Sequence, residues 1–149
     1  MSKILIMKMR FIIFVLMLIA EFAHSQTKQQ LDYQYFRDDK VYYAYELFRN
    51  TTGTNRQLML DFTVNVAFKK IQKVYLISNK SEIKVAFEIR NEVLKSDNPS
   101  QHSFPMAMDK DFDISIVPCD AKIVFVLDNK ESYPLPFSAC AVTDLLIKS

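Results

Sequence analysis

The sequence predicts an all-β domain: an antiparallel β-sandwich (Ig-like or similar) of about seven or eight short strands behind a cleaved N-terminal signal peptide. Three observations predict it. Several separate runs alternate apolar and polar residues with period two. The runs are short and divided by Asn, Asp, Pro and Ser. No stretch carries convincing helical spacing.

The N-terminal segment comes first. Lys3, Lys8 and Arg10 precede the apolar run FIIFVLMLIA, and Ala23 and Ser25 supply the small residues a signal peptidase reads, which puts the cut before Gln26. The apolar run, residues 11–20, is ten residues long, whereas a membrane-spanning helix needs about 20. Residues 1–25 therefore read as a signal peptide and not a retained anchor. The expectation is a secreted or periplasmic protein, one domain over residues 26–149, with no stable membrane insertion after cleavage.

The first strands lie in LDYQYF and VYYAYELF, which flank RDDK. With Asp38 and Asp39 as the turn, Tyr35 faces Tyr42, and Tyr43 and Tyr45 project to the opposite side. Over residues 58–68, Leu58, Leu60, Phe62, Val64, Val66 and Phe68 alternate with Met59, Asp61, Thr63, Asn65 and Ala67, a strand with one buried face. VYLISNKSEIKVAFEI then folds back at Asn79 and Lys80. This sets Leu76 against Ile83, Val74 against Val85 and Gln72 against Phe87, and gathers Lys73, Glu82, Lys84 and Glu88 on the other face. A helix over 82–94 is the alternative, but Ile83, Val85, Phe87 and Ile89 fit strand alternation better. SDNPSQHSFP reads as the longest irregular loop.

The last hairpin, AKIVFVLDNKESYPLPFSAC, carries two prolines in one strand. If Asn129 and Lys130 form its turn, partner numbers sum to 259, and Pro134 and Pro136 fall on non-hydrogen-bonded pairs. Their missing donors then face outward and mark an edge strand. The same register sets Cys119 opposite Cys140, so an exported chain is expected to join them in a disulfide. The tail AVTDLLIKS reads as a final strand.

Composition narrows the function. Gly53 is the only glycine, which excludes a P-loop, a dinucleotide fingerprint and a nucleophile elbow. Without the signal segment sixteen basic and sixteen acidic residues balance, so nothing favours nucleic acid as a partner. His102 is the one histidine left after cleavage, too few for a multi-histidine zinc site, and it lies in the loop as a candidate contact residue. Asp109, Asp111 and Asp113 resemble the start of a calcium loop. Ile114 and Asp120, however, stand where an EF-hand needs glycine and glutamate. No cofactor, metal or catalytic residue is assigned.

Five of the seven tyrosines, Tyr33, Tyr35, Tyr42, Tyr43 and Tyr45, crowd the first hairpin. Large rigid rings with polar tips suit a platform for a protein or glycan. The expected function is therefore a non-enzymatic binding module using these tyrosines or His102. The alternatives are a small secreted hydrolase built on paired carboxylates and a secreted inhibitor or immunity-type protein.

Overall fold

The computed structural model describes residues 26–79, 81–89, 102–109 and 112–148, and for residues 89 and 102–105 the backbone alone. Residues 1–25, read above as a signal peptide, and Asp111 lie outside these residues. Among those described, strands β1 (Gln26–Arg37), β2 (Tyr42–Thr52), β3 (Asn55–Val64), β4 (Ile71–Ser78) and β5 (Ser81–Lys84) come first. They are followed by β6 (Phe87–Ile89), β7 (His102–Met108), β8 (Lys122–Leu127), β9 (Ser132–Pro136) and a C-terminal helix α1 (Ala139–Lys148). The strands form two antiparallel sheets, ordered β1-β2-β3-β7-β6 and β5-β4-β8-β9. This is the all-β sandwich that the alternation predicts.

The two inner faces close on one apolar core. At its centre Phe62 of β3 stacks on Phe125 of β8, ring centroids 4.2 Å apart, and Tyr45 of β2 packs against Phe125 at 6.1 Å. Leu58, Leu60, Phe62 and Val64 face inward as period two requires. The strand ends at Val64 instead of running to Phe68. Asn65 stops it: its Oδ1 accepts the Tyr42 N–H at 2.9 Å and its Nδ2 donates to the Lys40 carbonyl at 3.1 Å. The side chain is thereby tied to the β1–β2 turn.

That turn is wider than the sequence predicts. Asp38 Oδ1 accepts the N–H groups of Lys40 (2.8 Å) and Val41 (2.6 Å), so residues 38–41 all take part. These two amides also hold the exposed Asp38 carboxyl below its ordinary range. Tyr35 consequently faces Ala44, and Arg37 faces Tyr42. A slip of two residues preserves sidedness, so Tyr43 and Tyr45 still point opposite to Tyr35 and Tyr42. Farther along, a bulge at Leu31 inserts one residue into β1 and sends that side chain into the core.

The β4–β5 hairpin has the predicted register, Leu76 opposite Ile83 and Ile77 opposite Glu82, with Asn79 at φ 44° in the turn. Lys73 and Glu82 pair on its outer face. Val85 donates to the Val74 carbonyl at 3.0 Å, and there the pairing stops. Phe87 does not face Gln72; the chain crosses to the other sheet, where Phe87 pairs with Met108. Both sheets enclose the same core, so Ile83, Val85 and Phe87 remain directed at it while the strand changes sheet.

In the final hairpin Val124 faces Pro134, and Phe125 faces Tyr133. Partners sum to 258 and not 259, because the turn holds three residues, 128–130, with Lys130 at φ 67° and Asn129 Oδ1 accepting the Glu131 N–H. The bonds Leu127 N–H to Glu131 O and Phe137 N–H to Ala121 O fix the alternation. Pro134 and Pro136 still fall on non-bonded pairs, and β9 is an edge strand.

Cys119 and Cys140 form the predicted disulfide, Cα atoms 5.0 Å apart, but not as facing strand residues. Cys119 sits in the turn before β8 and Cys140 in the first turn of α1. The tail is thus a helix and not a strand: Ala139, Val142 and Leu146 recur at helical spacing and pack inward. His102 is likewise corrected. It opens β7, opposite Val64, instead of lying in an irregular loop.

Candidate functional site

The tyrosine-rich hairpin divides its rings between two jobs. Residues 42–48 alternate sides, so Tyr43, Tyr45 and Leu47 enter the core while Tyr42, Ala44, Glu46 and Phe48 stand on the outer face of the five-stranded sheet. Tyr33 and Tyr35 of β1 join that outer face. They are 46% and 63% exposed, against 7% and 1% for Tyr43 and Tyr45.

The inward pair is structural. The Tyr43 hydroxyl donates to the Pro134 carbonyl at 3.1 Å, and the Tyr45 hydroxyl lies 2.8 Å from the Pro136 carbonyl and 2.7 Å from Asp32 Oδ2. Pro134 and Pro136 point their carbonyls outward from the β8–β9 ladder, so two hydroxyls from the facing sheet supply the donors that an edge strand lacks. Burial raises the pKa of both phenols, assisted by the charge of Asp38 at Tyr43 and of Asp32 at Tyr45.

The outward group forms a shallow, mixed surface. Tyr33 and Tyr35 rings lie 6.2 Å apart, and the Tyr33 and Tyr42 hydroxyls are 3.2 Å apart. That hydrogen bond, then burial, pushes the Tyr33 phenol up to about 12. Beside them Lys28 Nζ pairs with Glu46 at 3.0 Å and rests 4.1 Å over the Phe48 ring. Phe48, Met59 and Ala107 continue the surface as a small buried apolar cluster across β2, β3 and β7. Lys28, Glu46 and Phe48 escape a reading that counts tyrosines alone. Carrying the alternation of Tyr42 on through Ala44, Glu46 and Phe48 would find the latter two.

The surface is a sheet face and not a cleft. Three depressions of about 260 to 330 Å³ include none of the five tyrosines, and only one of them touches this surface, at Ala107. One is lined by both Glu88 and Asp109, and another by Ile77, Ile83 and Ile116. Among the described residues, the carboxylates whose pKa shifts, Asp38 and Asp113, are lowered by hydrogen bonds, opposite to what a general acid needs. Asp113 accepts from the backbone and hydroxyl of Ser115 and so starts a 3-10 turn. Among the described residues no cluster of His, Cys, Asp and Glu could hold a metal, and no helix is long and apolar enough to cross a membrane. The side chain of His102 lies outside the described residues.

Compared with protein-family models, with curated proteins and with solved structures, the chain matches none.

Proposed function

We propose that this is an exported binding module whose contact surface is the outer face of β1 and β2, centred on Tyr33, Tyr35 and Tyr42, and that its partner is a protein or glycan. One observation carries the reading: the hairpin keeps two of its tyrosines for the core and presents the others at the surface, next to the Lys28–Glu46 pair. Rigid rings lose little entropy on contact, and their hydroxyls give direction to it. The basic segment and ten-residue apolar run before Gln26, together with the disulfide, support export.

The test compares the protein with a Tyr33→Ala/Tyr35→Ala variant against immobilised glycans and against the proteins of the native envelope or culture fluid. Affinity is expected to fall about tenfold or more while the unfolding midpoint holds. Equal retention by both forms would move the contact elsewhere. Turnover of a glycan or peptide panel, lost on Glu88→Gln or Asp109→Asn, would replace the binding reading with a hydrolase.

A further inference from the structure

The geometry points to a self-pairing interface at the free edge of β1, where two copies of the chain join antiparallel, strand to strand, about Tyr35. The proposal stands whether or not the outer face binds what is proposed above.

The Asp38 N–H donates to the Val41 carbonyl at 3.0 Å, which makes 38 and 41 a bonded pair in the β1–β2 ladder. Alternation then places the next bonded pairs at 36 and 43 and at 34 and 45. Tyr33, Tyr35 and Arg37 therefore direct both their N–H and C=O groups away from β2. β1 borders its sheet, so among the described residues these groups meet no strand. Three donors and three acceptors at two-residue spacing are what another extended backbone complements. The usable stretch is bounded at one end by the bulge at Leu31 and at the other by the Asp38 turn.

A second copy suits this stretch because the stretch is its own complement. With partner numbers summing to 70, Tyr33 meets the partner's Arg37, Tyr35 meets the partner's Tyr35, and all three outward residues are paired. A shift to 68 or 72 loses one of the three, and 74 sets arginine against arginine. In the favoured register each Tyr33 ring receives a guanidinium, and Tyr35 and Phe36, 63% and 43% exposed, are covered. The one like-charged pairing, Asp32 with the partner's Asp38, falls at the two ends of the stretch, where Asp32 already accepts from Tyr45 and Asp38 from its own turn amides. The two outer tyrosine faces become one continuous surface on a ten-stranded sheet, made from five strands in each copy.

The experiment uses protein expressed from the full sequence, with light scattering across a concentration series and non-reducing gels of cysteine variants. The expected mass is that of two chains. Tyr35→Cys, on the two-fold axis at about 5.5 Å between Cα atoms, should cross-link into covalent dimers. Tyr33→Cys alone should not, while Tyr33→Cys/Arg37→Cys should. Tyr35→Pro, whose missing donor faces outward and spares the β1–β2 ladder, should weaken association about tenfold or more. Single-chain mass at every concentration overturns the proposal, as does equal cross-linking of the Tyr33→Cys and Tyr35→Cys single variants. A monomer that instead captures unrelated extended peptides at this edge also overturns it.

Discussion

β9 and β1 border the same flank of the sandwich, one in each sheet, and they treat their outer backbone in opposite ways. On β9 three positions point outward: Ser132, next to the turn, keeps its N–H, but Pro134 and Pro136 have none to offer, and their carbonyls are taken by Tyr43 and Tyr45. On β1 the positions that point outward are Tyr33, Tyr35 and Arg37, each with donor and acceptor intact. An edge closed by covalent chemistry thus lies beside one left able to pair. Unprotected edges carry an aggregation hazard, so the contrast teaches where this molecule resists association and where it permits it.

The difference can be broken most forcefully from the β9 side. Tyr43→Phe/Tyr45→Phe keeps both rings but removes two hydroxyl protons, one donated to the Pro134 carbonyl and one shared between the Pro136 carbonyl and Asp32. It should cost about 2 to 4 kcal/mol in urea unfolding, at roughly 1 to 2 per hydroxyl donor lost. A null result would mean that the proline carbonyls need no capping.

A pH series gives a milder separation. Tyr33 and Tyr133 both ionise near 12 in the folded protein, against 10 for the free phenol. Hydrogen bonding to Tyr42 leads at Tyr33, while burial leads at Tyr133. The folded state therefore holds these protons more tightly. Their contribution is complete below pH 10 and disappears as pH rises through 12. Tyr33→Phe should make the alkaline loss of stability shallower, as followed by circular dichroism; an unchanged profile would place the loss at the core phenols.

The smallest effect belongs to the β1 edge. Tyr35→Lys removes a whole exposed ring, yet at concentrations dilute enough to leave single chains it should move the unfolding free energy by no more than about 0.5 kcal/mol. A larger loss would show that Tyr35 is part of the fold and not of an interaction surface.

Much of the fold was legible because period-two alternation depends only on local backbone geometry. The β4–β5 register follows directly from a two-residue turn at Asn79. The last hairpin shows the limit: Lys130 takes φ 67° without being glycine, the turn gains a residue, and every pair shifts by one. The prolines kept their outward placement because the ladder's bonded positions shifted along with the register. The disulfide was correct although its supposed strand partners are a turn and a helix. That helix was hidden by Val142, Thr143 and Ile147, which favour strands, while its inward spacing of Ala139, Val142 and Leu146 is only three residues deep. The crossing from β5 to β6 left no trace in the sequence, since the inward residues keep their rhythm through it.

At the outer face, the sequence correctly separated Tyr35 and Tyr42 from Tyr43 and Tyr45. It could not tell which side was core, because either set of rings could line one. Tertiary packing decides that: the side facing Phe125 and Tyr133 is buried. Nor could it foresee that Tyr43 and Tyr45 would meet the prolines, some ninety residues away in sequence and in the other sheet.

Cys119 and Cys140 bracket the whole β8–β9 hairpin, so the bridge makes that segment a covalent ring whose outermost point is the exposed turn at Asn129. A protease that clips the ring there produces two polypeptides that still travel as one molecule. They separate only when a reductant opens the second link.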